Sequence, residues 1–110
     1  MPDAAELTPT EFCERWPEGQ RGEVTLLDVR EPAEIELASL PGTVKIPMME
    51  VPGRLQELAR DANVVVMCHS GGRSRRVARF LLDSGFSRVF NLAGGIDAWS
   101  REIDASVPRY

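Results

Sequence analysis

Apolar and polar positions along this 110-residue chain fall into two alternating patterns. Short apolar runs occur at Val24-Thr25-Leu26-Leu27-Asp28-Val29 and Val64-Val65-Val66-Met67. Their β-branched content predicts buried strands, the first ending near Asp28. A last strand is expected over 88–92, and a short extended piece over 44–46 is stopped by Pro47. The intervening segments have helical spacing. Residues 74–84 bring Val77, Ala78, Leu81 and Leu82 to one face, with Gly85 as a C-terminal stop. Thr8-Pro9-Thr10-Glu11 combines a capping box with a first-turn proline, opening a helix that carries Phe12, Cys13 and Trp16. A short helix follows Pro32, and residues 48–59 place Val51, Leu55, Leu58 and Ala59 near one helical face. Gly94-Gly95 turns the chain into a helix holding Ile96, Trp99 and Ile103. Strands separated by helices of this length predict an α/β fold: a central, mostly parallel sheet with helices on both faces.

The length suits one domain, 1–110, and nothing repeats at a fixed period. Thirteen basic residues against seventeen acidic ones give a net charge of −4, the wrong sign for a nucleic-acid binder. No run approaches the roughly 20 apolar residues of a membrane span, and the first residues lack a signal pattern. The expectation is a cytoplasmic protein with no membrane contact, and nothing demands more than a monomer. Two cysteines, Cys13 and Cys68, do not make a disulfide framework. With a single histidine they offer no metal-ligand spacing either, so no metal is expected; no organic cofactor is expected either. Cys13, Trp16 and Trp99 read as core residues.

The chemistry is concentrated in Met67-Cys68-His69-Ser70-Gly71-Gly72-Arg73-Ser74, between the strongest strand and a well-patterned helix. In an open parallel sheet this is the carboxyl edge, where sites are built. Paired glycines permit a turn that aims successive N–H groups inward, an anion-binding nest at a helix N-terminus with Cys68 at its mouth. From 62 to 82 the chain has no Asp or Glu but contains Arg73, Arg75, Arg76 and Arg79, a local formal charge of +4. Such surroundings lower a thiol's pKa and favour an anionic substrate. Of the helix arginines, Arg75 is the best placed to reach one. His69 is read as lining the loop, with an acid–base role as the alternative.

These residues resemble the single-domain rhodaneses, a thiosulfate sulfurtransferase-type family, over about 6–107. Five motifs fall in the family's order. They are Leu27-Asp28-Val29-Arg30-Glu31, Leu40-Pro41-Gly42-Thr43-Val44-Lys45-Ile46-Pro47, the Cys68 loop, Gly85-Phe86 and Leu92-Ala93-Gly94-Gly95-Ile96-Asp97-Ala98-Trp99. The chain departs from the family at Ser39, where a histidine is usual, and at His69, where arginine is frequent. The resemblance implies a rhodanese-like fold with Cys68 as a nucleophile that carries sulfur as a persulfide. The loop from His69 through Ser70, Gly71, Gly72 and Arg73 to Ser74 would bind the substrate, its amides holding the terminal sulfur. Arg73 would steady the loop, and Asp28 with Arg30 would form a supporting salt bridge. The implied donor is a small anion, thiosulfate-like or a persulfide; the acceptor is cyanide, a thiol, a thioredoxin-like protein or a sulfur carrier. Four residues between Cys68 and Arg73 suit one sulfur atom, whereas the related phosphatases have five for a tetrahedral anion. The competing expectation is a non-catalytic or redox-sensing binding module on the same fold.

Overall fold

The computed structural model describes residues 3–110. Five parallel strands form one sheet in the order β1-β5-β4-β2-β3. The strands are β1 (Ala5–Leu7), β2 (Val24–Asp28), β3 (Val44–Lys45), β4 (Asn63–Met67) and β5 (Val89–Leu92). The helices are α1 (Pro9–Arg15), α2 (Pro32–Leu37), α3 (Gly72–Asp83) and α4 (Gly95–Glu102). The α/β class, the parallel sheet and the placement of helices on both faces agree with the sequence reading.

The central strand explains the unbroken apolar run. Along β4, Val64 and Val66, with Cys68 beyond them, enter a core shared with Val77, Ala78 and Leu81 of α3. The alternate residues Val65 and Met67 enter a second core with Phe12, Trp16, Ile96 and Trp99, from α1 and α4 and the residue after α1. Side chains alternate between faces, so a strand covered on both sides is apolar throughout. In-register pairing of Leu27 with Val66 and Asp28 with Met67 brings the carboxyl ends of β2 and β4 level.

The capping box at Thr8 and Glu11 forms as the sequence predicts, with Thr8 N–H donating to Glu11 and Glu11 N–H to Thr8 Oγ1. Two elements differ. Strand β1 is absent from the sequence reading, being three residues at the sheet's edge with two exposed and no apolar pattern to announce it. The segment expected as a helix over 48–59 is instead a 3-10 stretch, Met48–Glu57, broken by non-helical angles at Arg54. Pro52 within it removes a backbone donor, and tight turns replace α-helical bonds. Its Val51 and Leu58 are nevertheless buried against α3, while Ala59 is exposed. Among the described residues, no helix is long and apolar enough to cross a membrane.

Candidate functional site

Cys68 follows β4 directly, and the chain then turns through His69, Ser70 and Gly71 into α3. The turn depends on Gly71, whose φ of +110° is strained for a residue with a side chain. Cys68 itself is only 1% exposed, so its thiol lies at the bottom of the loop rather than at the mouth expected from sequence. Gly71 N–H donates to Sγ at 3.1 Å and the Ser74 hydroxyl at 3.2 Å. Burial pushes the thiol pKa up, but the Ser74 hydroxyl and the N–H groups of Ser74, Gly71 and Ser70 outweigh it and leave the pKa lowered. The thiolate is thus stabilised by hydrogen bonds from a short stretch of chain.

A second layer of hydrogen bonds lies on the far side of the loop. Ile96 N–H donates to the Cys68 carbonyl at 2.9 Å and Asp97 N–H to the His69 carbonyl at 3.1 Å. Both donors belong to the first turn of α4, where free N–H groups are available. A Cβ on Gly95 would collide with the Cys68 and His69 carbonyl groups, so the approach of α4 to the loop requires glycine there. From β5, Asn91 Nδ2 donates to the Gly71 carbonyl at 3.1 Å. Loop carbonyls are held outward while loop amides face inward. The sequence motif contained Gly95, but its contact with the loop depends on tertiary structure, and Asn91 gave no signal at all.

The predicted supporting residues lie behind this shell. Asp28 and Arg30 are fully buried, and Arg30 binds both Asp28 oxygens, Nε to Oδ1 at 3.0 Å and NH2 to Oδ2 at 2.7 Å. Arg30 also donates to the Ala38 carbonyl at 2.9 Å and to the Tyr110 hydroxyl at 3.0 Å. The Tyr110 hydroxyl donates in turn to Glu34 at 2.9 Å, and its ring stacks on His69 at 4.1 Å between centroids. The ring of His69 therefore packs on Tyr110, and it makes no hydrogen bond to the thiol. Gly72 opens α3 and is exposed.

Arg73 makes a two-pronged pair with Glu34, and Arg75 contacts Glu6 at 3.3 Å. Arg79 approaches Asp3 at 4.0 Å. These carboxylates come from distant parts of the chain and offset most of the local positive charge counted from sequence. Lowering of the Cys68 pKa is consequently led by hydrogen bonds rather than by a field of free arginines. Cys13, expected in the core, is half-buried at its margin with Arg21 NH2 at 3.5 Å, and burial pushes its thiol pKa up. Ser39 lines a separate cavity of about 490 Å³ with Arg21, Leu40 and Trp99. Trp16 and Trp99 are buried, as expected.

A thiol ringed by amides between β4 and α3 is accompanied by a match to the Rhodanese-like domain family over residues 16–102. The chain belongs to the rhodanese-like domain family. It is 44% identical over 92 residues to the Rhodanese-like/PpiC domain-containing protein 12, chloroplastic, of Arabidopsis thaliana, a match covering 80% of this chain and 31% of that protein. The rhodanese domain thus corresponds to less than a third of that relative's length. A protein named Sulfurtransferase from Allochromatium vinosum is 43% identical over 79 residues, 72% of this chain and 74% of its own. The crystal structure of a rhodanese-related protein from Thermoplasma volcanium superposes with a TM-score of 0.79 at 29% identity, covering 90% of this chain and 93% of that one.

Proposed function

We propose that this rhodanese domain is a sulfurtransferase that cycles Cys68 between thiolate and persulfide. The observation that carries the reading is the Cys68 Sγ in contact with Gly71 N–H and Ser74 Oγ, with its pKa lowered. In the first half-reaction the thiolate attacks the outer sulfur of a small anionic donor such as thiosulfate. A Cys68 S–S bond forms, the donor's S–S bond breaks, and sulfite leaves with its electron pair. In the second, an acceptor thiolate or cyanide attacks the outer sulfur, and Cys68 departs as thiolate. No net redox equivalent is needed. The loop amides suit negative charge on both the departing thiolate and the terminal sulfur, since their dipoles are already oriented. The Allochromatium relative's name supports sulfur transfer as the class of reaction. A persulfide donor and a thiol, thioredoxin-like or sulfur-carrier acceptor follow the same chemistry.

The test is intact-protein mass after incubation with thiosulfate, for wild type and Cys68→Ser side by side. A gain of one sulfur atom, removed by cyanide and absent in the variant, is expected. A gain only with polysulfide or glutathione persulfide would keep the mechanism and change the donor. No gain with any of these would overturn it in favour of a binding or redox-sensing module.

A further inference from the structure

We infer that Asn91 is a positioning residue for the Cys68 thiol: its side-chain amide anchors Gly71 so that the Gly71 N–H stays on the sulfur. The inference rests on the sulfurtransferase reading only for its effect on turnover; the effect on the thiol stands apart from it.

Asn91 sits on β5, paired in register with Val66 on one side and Glu6 on the other, close beneath the loop. It is fully buried. Its Nδ2 donates to Glu6 Oε1 at 3.0 Å and Oε2 at 3.1 Å, and to the Gly71 carbonyl at 3.1 Å. Its Oδ1 is buried with no hydrogen-bond partner. The orientation of the amide follows from these partners, because reversing it would set Oδ1 against acceptors only. A buried amide oxygen left bare is unfavourable, and an apolar residue of similar size would avoid it. What Asn91 supplies that such a residue lacks is a donor, and that donor is aimed at the loop.

Gly71 is consequently tied on two sides, through its N–H to Sγ and through its carbonyl to Asn91. The same carbonyl accepts Arg75 N–H at 3.2 Å, the opening bond of α3. Anchoring it therefore also sets the first turn, from which Ser74 reaches the sulfur. Gly71 and Gly72 both lack a side chain, so the peptide between them meets little steric resistance to rotation. A Cβ on Gly71 would lie 3.3 Å from the Gly94 nitrogen, so the loop passes close to α4 on that side, and Asn91 holds its carbonyl. Glu6 completes the anchor, fixing the amide from the edge strand while also pairing with Arg75.

The experiment measures the pH profile of Cys68 alkylation by iodoacetamide, with thiosulfate loading in parallel, for wild type and Asn91→Leu. The alkylation midpoint should rise by about half a unit or more, leaving about threefold fewer thiolates well below it, and loading should fall at least as far. A folded Asn91→Leu protein with the wild-type profile overturns the inference. Should that variant not fold, Asn91→Ser, smaller and able to admit water, is read by the same two outcomes. Val64→Ala, at the far end of β4, loses stability without touching the loop and should keep the wild-type profile; an equal shift there overturns the inference. If wild type loads no sulfur from any donor but the Asn91 profile shifts, the sulfur-transfer reading fails and the positioning role stands.

Discussion

Arg73 and Glu34 face each other across the junction of α3 and α2 through two parallel hydrogen bonds, NH1 to Oε1 at 2.6 Å and NH2 to Oε2 at 2.8 Å. Glu34 Oε1 also accepts the Glu31 N–H at 3.2 Å, so one carboxylate both caps α2 and clamps the start of α3. The Arg73 pair, working against burial and helped by the Glu31 N–H and the Tyr110 hydroxyl, holds the Glu34 carboxyl at about 2.

Glu34→Gln should cost about 1–2 kcal/mol at neutral pH, the value of a two-pronged pair that solvent partly screens. A carboxyl depressed in the folded state stabilises fully above its ordinary value of 4.5 and loses that contribution as pH falls through about 2. The Tm difference between wild type and variant should therefore hold steady from pH 7 down to the ordinary carboxyl value and close below it. A series of melting curves across that range checks both the size and the direction.

Asp28→Asn should be far more damaging. Arg30 would remain fully buried with its charge, keeping only carbonyl and hydroxyl partners. Removing one member of a buried pair costs about 3–5 kcal/mol, so Tm should fall on the order of 10–20 °C. Calorimetry on the folded fraction gives the number.

Ser74→Ala removes the hydroxyl at 3.2 Å from Sγ and leaves the burial of Cys68 in place. With desolvation less opposed, the thiol pKa should rise by about 0.5–1 unit, equivalent to ~0.7–1.4 kcal/mol. Thiolate ultraviolet absorbance, followed through a pH titration, would show the midpoint moving to higher pH with little change in Tm.

Gly95→Ala should separate loop from fold. The added methyl collides with the Cys68 and His69 carbonyls at a residue whose φ is +60°. The expectation is a displaced loop, with sulfur loading down at least tenfold and the Ile96 and Asp97 hydrogen bonds lost, while the far end of the sheet keeps its native chemical shifts. Backbone NMR of the variant tests this directly.

Much of this architecture could be read from local pattern. The runs at β2 and β4, the Thr8 cap and the Gly-Gly turn before α3 each carry their structural cause within a few residues, and so does the strand–loop–helix setting of Cys68. The second layer around the loop could not be read this way. Glu34 lies 39 positions from Arg73 and Asn91 lies 20 from Gly71, and neither has a local feature that marks its partner. Counting charge between 62 and 82 consequently gave a local formal charge of +4 around Cys68, whereas the carboxylates of Glu34, Glu6 and Asp3 come in from elsewhere and pair with three of those arginines. Strand β1 escaped for a related reason: its three residues are extended because β5 offers them an edge.

Helices α3 and α4 both begin at one loop: the N-cap Gly71 and Ser74 at the start of α3 turn N–H groups to the sulfur, and the first turn of α4 gives N–H groups to the loop's carbonyls. Each contributes the partial positive charge of a helix start, equivalent to about half an elementary charge. Peptide dipoles do not titrate. An attraction for anions built from them persists in alkaline solution, where one made from histidine or lysine would fade, so in the proposed sulfur transfer the pH dependence falls to the Cys68 thiol and to the nucleophile that takes its sulfur.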